Sequence, residues 1–419
     1  MYDLCIIGGG AAGMSAAITA GKLGLKVIII DKNEKLGRKI YATGNGRCNL
    51  TNTDFDKDYS KYYNSNDKNY TDFLNCFFDD FENPCESVIS FMDSISIKTY
   101  EKDGYVYPLS NQASSVMWAF NDAIKKYNID VEFKAQFEEV HIDEAMFRIN
   151  VSNRVIEASN LILACGGASY IKLGGSYSSY MLARSLCHTV TEIRPALCGL
   201  ITKESFTDLS GVRTKCKASL FNGKEFVSCE EGELQFTEYG ISGIMIFNLS
   251  SKAGQLMKSG NKPTISIDFI PSITDEITDS LYNEFSDRTI NGLLNSLIND
   301  KLASFILQSL CINPKEKVFA ISKKDYDVII RLLHNYQINI LDTNDFENAQ
   351  VTAGGVNISE ISPKTMMSEV IQRLYIIGEM LDIDGICGGY NLSFAILSGI
   401  KAGQSIYDTI KSNKDTSIG

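Results

Sequence analysis

Apolar residues along this chain fall into three patterns. Short unbroken runs occur at Leu4–Ile7, Val27–Ile30, 160–167 (NLILACGG) and 374–377. Runs of that length fit strands buried on both faces of a parallel sheet. Three- and four-residue spacing predicts helices over 70–81, 84–94, 112–127, 177–187, 390–407 and several within 273–336. Pro314 divides that last stretch, and Ser322 is placed to cap its final helix. Alternation over 131–155 predicts hairpin strands. Short strands are expected over 95–108 about Lys102-Asp103-Gly104, and from Pro195 to Phe269 between turns at Asn222-Gly223 and Glu231-Gly232. Residues 55–70 are polar, aromatic and weakly patterned, which predicts a surface excursion.

The first two apolar runs enclose a glycine turn and a small-residue helix. Gly8, Gly10 and Gly13 have the G-x-G-x-x-G spacing: a tight turn, close backbone approach to a pyrophosphate, and close packing of helix on strand. Ala11, Ala12, Ala16, Ala17 and Ala20 keep the helix slim, and Gly21 or Gly24 ends it. Asp31 closes the second run, where an acid accepts ribose hydroxyls. Glycine clusters alone are weak signals, but strand, turn, helix, strand and acid arrive here in order. The stretch predicts a dinucleotide site.

Residues 35–52 (KLGRKIYATGNGRCNLTN) lack periodicity. A solvated loop is one reading. The density of Gly44, Asn45, Gly46, Arg47, Cys48 and Asn49 favours backbone running beside a flat polar ligand, with Arg38 and Lys39 placed to neutralise diphosphate oxygens. Gly166-Gly167 ends a parallel strand at the sheet edge where ligands bind. Gly385, Gly388 and Gly389 precede a helix whose free N–H groups would form an anion site. Segment 232–243 (GELQFTEYGISG) fits a loop facing the ligand or a surface hairpin. Trp118 is expected to be a packing residue and His188 a helix C-terminal cap. His141 and His334 are expected to sit without acid or nucleophile partners, and none of the three is expected to be a catalyst.

The chain of 419 residues has a net charge of −11, which disfavours a general nucleic-acid or anionic-membrane surface. Eleven cysteines show no C-x-x-C spacing and read as reduced, mostly buried thiols, with no metal site expected. No run approaches membrane-spanning length and no targeting segment is evident, so a cytoplasmic enzyme is expected.

GRKIYATGNGRCNLTN, VTAGGV and GEMLDIDGICGGYNLSFAILSG resemble the bacterial NAD(P)/FAD-dependent oxidoreductases that include aminoacetone oxidase-like and BaiN-like flavoproteins. The resemblance spans essentially the whole chain. It implies an α/β fold: a discontinuous, glutathione-reductase-type Rossmann FAD-binding domain with an inserted β-barrel-like domain and a small helical subdomain. Its boundaries are expected at 1–193 and 351–419 for the FAD-binding parts, 194–272 with 337–350 for the β-rich insert, and 273–336 for the helices.

Carried onto this chain, the resemblance implies that Gly8, Gly10, Ala11, Ala12, Gly13, Asp31 and Lys32 hold the ADP half of non-covalent FAD. Arg38 and Lys39 would lie near the phosphates and ribityl chain. Thr43, Gly44, Asn45, Gly46, Cys48 and Asn49 would line the flavin, with Cys165, Gly166 and Gly378 at the strand ends. Glu379 would bond the ribitol, and Gly388, Gly389, Tyr390, Asn391 and Leu392 would cover the pyrimidine edge. The glycines before that helix would let the ring approach its N–H groups.

Two departures stand out. Gly175-Ser176-Tyr177-Ser178-Ser179-Tyr180 replaces a Thr-Gly-Asp-Gly-Tyr-like run, and Glu238 replaces a His common in relatives. Glu238, Asn45 and Arg47 are the candidate catalytic residues. The expected activity is hydride or electron transfer at flavin N5 to or from a small organic substrate. The alternatives are an amine oxidase using oxygen, a reductase acting on an activated double bond of a larger organic substrate, and a flavin-dependent RNA-modifying or redox-sensing protein. No second dinucleotide motif is present, so NAD(P)H is expected only as a transient reductant, and the protein as a monomer or homodimer.

Overall fold

The apolar runs become neighbouring strands of one parallel sheet in the computed structural model, which describes residues 1–135, 137–143, 146–152 and 154–418. The strand order is Leu374–Ile376, Leu161–Leu163, Leu4–Ile7, Val27–Ile30, Asp130–Glu132. Leu4 pairs with Val27 and Ile7 with Ile30, while Cys5 pairs with Leu161 on the other side. Every residue of the first four strands is buried. The C-terminal segment therefore completes a sheet begun at the N-terminus.

The helix Ala11–Lys22 lies against the C-terminal helix Tyr390–Ile418 at backbone distance. A Cβ at Gly399 would stand 2.3 Å from the Ala12 carbonyl oxygen, and one at Gly403 would stand 2.8 Å from that of Ala16. Small residues on both helices thus set their separation. The first helix ends at Lys22, and Gly24, at φ +89°, turns the chain into the next strand.

The chain divides into two compact units, residues 1–194 with 351–419 and residues 195–350. The second holds a closed barrel in the order Leu200–Thr202, Gly240–Ser242, Glu225–Thr237, Arg213–Asn222, Pro263–Asp268, Tyr336–Thr343. It also holds the helices Asp275–Glu284, Ile290–Leu294, Asp300–Ser309 and Lys323–His334. Ser322 caps the last, its Oγ accepting from the Asp325 N–H at 3.1 Å.

Several expectations are corrected. Glu231-Gly232 is no turn: it lies inside a thirteen-residue strand, with Gly232 opposite Cys216. Residues Ile244–Lys258, expected as strand and turn, form a helix whose buried side includes Met245, Ile246, Leu249 and Ala253. Residues 55–70 are a surface excursion only in their polar residues, such as the exposed Asp56, Lys57, Asp58, Ser60 and Lys61. Tyr59, Tyr62 and Tyr63 are buried, and Phe55, Tyr62, Tyr63, Phe78 and Tyr390 form one aromatic cluster. Trp118 is 66% exposed on the outer face of Ala113–Lys126 and packs no core. No described helix is long and apolar enough to cross a membrane.

Candidate nucleotide site at the sheet edge

The three motif glycines have three different surroundings. Gly8 takes φ +109°, and a Cβ there would stand 2.3 Å from the Ala164 carbonyl oxygen of the adjoining strand. A Cβ at Gly13 would stand 2.0 Å from the Gly8 carbonyl oxygen, so this glycine sets helix on strand. A Cβ at Gly10 meets no protein atom within 4 Å. Gly10 is also the N-cap of the helix, whose first N–H groups, on Ala11, Ala12 and Gly13, lack partners within the helix. Open space at a helix N-terminus is where a diphosphate fits.

Asp31 is buried at the end of its strand. Its Oδ2 accepts from the Gly9 N–H at 2.8 Å, and Oδ1 accepts from Asn33 N and Nδ2 at 2.8 and 2.9 Å. The carboxylate thus shapes the glycine turn itself and keeps lone pairs for a further donor. Arg38 donates to Asn33 Oδ1 at 2.8 Å and to the Lys172 carbonyl at 2.7 Å, leaving three of its five donors. Lys32 is exposed beside this turn.

Lys39 and Glu379 meet at 2.7 Å. The other Glu379 oxygen accepts from Ser169 Oγ at 2.8 Å and from the Thr352 N–H at 3.0 Å. Ser169 and Thr352 were not among the residues expected at the site. Their sequence signal was only a small polar residue next to Gly166-Gly167 and Gly354-Gly355. Gly378, at φ +66°, has its Cβ position 2.9 Å from the Ala12 methyl, which fixes the start of this acid against the first helix.

Gly44, Asn45, Gly46 and Cys48 all have positive φ, between 55° and 84°. Their loop is held by Thr43, whose carbonyl accepts from Cys48 N at 2.9 Å, and by Gly46, whose carbonyl accepts from Ala113 N at 2.7 Å. Asn49 is buried, yet its Oδ1 has no hydrogen-bond partner among the described residues. A buried amide oxygen without a donor is costly unless a ligand or water supplies one. Asn45 and Arg47 are exposed on the same loop. Burial pushes the thiols of Cys48 and Cys165 up to about 12, so both stay protonated at neutral pH.

At the C-terminal helix the glycines are required by packing within the protein. A Cβ at Gly389 would stand 2.8 Å from the Thr51 backbone, and one at Gly388 would stand 2.6 Å from the Tyr390 ring. Protein packing by itself excludes side chains there. The Tyr390 ring is buried and stacks on Tyr62 at 4.6 Å. Asn391 latches the loop, its Oδ1 accepting from Gly385 N at 2.8 Å and its Nδ2 donating to Gly385 O at 2.7 Å. Leu392 packs on the core. What this helix start offers a ligand is therefore backbone N–H.

Glu238 lies exposed in the two-residue turn between Glu225–Thr237 and Gly240–Ser242, within the barrel unit. Segment 232–243 is accordingly a hairpin arm. The histidines differ from expectation. His188 is buried, its Nε2 is 2.7 Å from Ser368 Oγ, and burial pushes its pKa down, so it is no cationic cap. His141 and His334 do have acidic neighbours, Glu139 at 3.0 Å and Asp268 at 3.1 Å. The first is two positions along its own strand, and the second comes from a strand far away in sequence.

A family model described as the HI0933-like protein Rossmann domain matches residues 2–405. The 3-dehydro-bile acid delta(4,6)-reductase of Clostridium scindens is 34% identical over 97% of this chain and 99% of its own. The ribosomal RNA dihydrouridine synthase of Escherichia coli is 26% identical over 97% of this chain and 98% of its own. Among solved structures, the 3-ketosteroid delta1-dehydrogenase of Sterolibacterium denitrificans shares the fold. Its TM-score is 0.53 at 12% identity, with 97% of this chain and 99% of that one covered.

Proposed function

Since the chain belongs to the HI0933-like Rossmann family, we propose that it is an FAD-dependent oxidoreductase that reduces a carbon–carbon double bond conjugated to a carbonyl group. The open position at Gly10, between two glycines that protein atoms block, carries the cofactor reading. The orphaned Asn49 oxygen supports it.

In this reading the turn from Gly8 to Gly13 and Asp31 hold the adenosine diphosphate half. Arg38 and Lys32 lie near the phosphates, and the Lys39–Glu379–Ser169 cluster presents polar atoms to the ribityl chain. The loop from Thr43 to Asn49 lines the ring, Cys165 and Gly166 edge the site, and the N–H groups of Tyr390, Asn391 and Leu392 face its electron-accepting edge, where a helix N-terminus favours negative charge. Bound FAD supplies two-electron transfer at N5, and the protein supplies position and charge.

The substrate class rests on two relatives whose names both describe hydrogenation of a conjugated carbon–carbon double bond. Arg47 and Asn45 are the residues proposed to orient the substrate carbonyl, and Glu238 is proposed to handle a proton or favour a cationic substrate. NAD(P)H is the proposed reductant, binding transiently. The net charge of −11 favours a small substrate over RNA.

The test is anaerobic. The reduced protein is mixed separately with conjugated enones, uridine-containing RNA, and oxygen, while the oxidised protein is mixed with primary amines. Flavin absorbance is followed in each. Rapid reoxidation by enones is expected. Reduction by amines with no response to enones or RNA would overturn the substrate class, and reoxidation by RNA alone would replace the small substrate with RNA.

A further inference from the structure

The carboxylate of Glu379 divides its two oxygens between different surroundings. Oε1 accepts from Ser169 Oγ at 2.8 Å and from the Thr352 N–H at 3.0 Å. Oε2 accepts from Lys39 Nζ at 2.7 Å. A carboxylate offers about four lone-pair sites, shared equally between its oxygens. Oε1 is therefore spent on the protein, whereas Oε2 keeps an acceptor site.

Two adjacent glycines show which oxygen is packed and which is open. A Cβ at Gly167 would stand 2.4 Å from Thr352 Oγ1 and 2.6 Å from Glu379 Oε1, so this side is closed by protein. A Cβ at Gly166, its chain neighbours aside, would meet only Glu379 Oε2, at 3.9 Å, among the described residues. Oε2 thus borders open space. The acid also begins beside the glycine turn, since the Cβ position of Gly378 is 2.9 Å from the methyl of Ala12, in the first turn of the helix after Gly10.

Thr352 fixes the packed side. It is fully buried, and its Oγ1 accepts from Ala168 N at 2.9 Å and from Ser169 N at 3.0 Å. The same hydroxyl donates to Ser169 Oγ at 3.3 Å, so its proton and both lone pairs are used. Ser169 Oγ donates onward to Oε1. The chain from Thr352 through Ser169 to Glu379 is continuous, and bonds in such a chain strengthen one another. With no exposed surface, Thr352 acts only through its neighbours.

We propose that Thr352 is a positioning residue that, through Ser169, turns Glu379 so that Oε2 accepts from a ribityl hydroxyl of bound FAD. The proposal rests on the FAD reading above.

Fluorescence titration of the full-chain apoprotein with FAD tests this, with far-ultraviolet circular dichroism confirming each fold. Thr352→Val removes the hydroxyl, keeps the N–H, and should weaken FAD binding about tenfold. Thr352→Ser restores the hydroxyl and should bind within roughly threefold of wild type. In Glu379→Gln the amide oxygen takes the Oε1 position between its two donors, and the NH2 at the other position accepts nothing. That variant should itself bind FAD about tenfold more weakly. Adding Thr352→Val to it should cost less than about twofold further. A merely structural Thr352 would give the same fold-loss in both backgrounds. That result overturns the proposal, as does wild-type affinity in Thr352→Val. If Thr352→Val fails to fold, Ser169→Ala decides, because it breaks the chain and leaves the backbone bonds to Thr352 Oγ1 in place. Its loss should be about fivefold alone and less than about twofold beside Glu379→Gln, and equal losses overturn the proposal. Undiminished affinity in Glu379→Gln would remove this proposal and leave the FAD reading standing. A wild-type chain that binds no FAD would overturn both.

Discussion

Lys39 and Glu379 stand 340 positions apart in sequence and 2.7 Å apart in space, with side chains 29% and 22% exposed. The pair ties the loop after the second strand to the end of the last one. The two partners are not equivalent, because Glu379 also serves Ser169 and the Thr352 N–H. Lys39→Met should cost about 1 kcal/mol, the worth of one charge-assisted bond less its screening. Glu379→Ala should cost about 2–4 kcal/mol, since it strands three donors at once. Urea denaturation with unchanged slope reads both values. Equal losses would contradict this division of roles.

The motif glycines give a sharper contrast. In Gly13→Ala the new methyl would lie 2.0 Å from a backbone oxygen, so the protein should lose about 3 kcal/mol or fail to fold. In Gly10→Ala the methyl enters open space, and stability should change by roughly 0.5 kcal/mol or less. Cofactor content should nevertheless fall in Gly10→Ala. Thermal melting of the two apoproteins beside their flavin absorbance checks this. A stable Gly13→Ala, or a Gly10→Ala that retains full cofactor, would contradict the assigned roles.

Much of the Rossmann unit was legible because its signals are local. Four apolar runs, one glycine turn and one acid fall within a few residues of their structural positions. The barrel was harder. Residues Ile244–Lys258 carry β-branched and aromatic residues early, which masks a helical stripe that only the barrel wall makes plain. The exposed Trp118 and the buried Tyr59, Tyr62 and Tyr63 reversed expectation because burial there is decided by distant partners such as Tyr390. Lys401 left no sequence signal at all. It is buried, and it donates to the Phe77 carbonyl at 2.7 Å, closing the end of the helix Tyr70–Phe78. At the site, Asp31 and Glu379 were legible as acids, whereas their engagement by Gly9, Asn33, Ser169 and Thr352 depends on loops meeting in space.

Burial holds His188 below its ordinary pKa of about 6.5, against a smaller upward pull from Glu360. The unfolded chain therefore binds a proton that the folded chain refuses. Its contribution to stability is full above about pH 6.5 and is lost as pH falls toward the depressed folded value. His188→Gln lacks this titration and can still bond Ser368. Its stability should fall less than that of wild type between about pH 6.5 and 5.5. Parallel stability curves over that window would contradict a neutral, buried His188.

Glu238 is proposed to meet the substrate. Glu238→Gln should slow the substrate-driven half-reaction at least about tenfold while leaving FAD content intact. Stopped-flow rates across pH read this, and unchanged rates at every pH would remove Glu238 from the site.

Release and identification of the bound cofactor test the account most directly. The purified protein, denatured by heat or acid, is predicted to release non-covalent FAD at one molecule per chain, identified by chromatography of the supernatant. Release of FMN, a flavin that stays with the precipitated chain, or nicotinamide dinucleotide alone would contradict it.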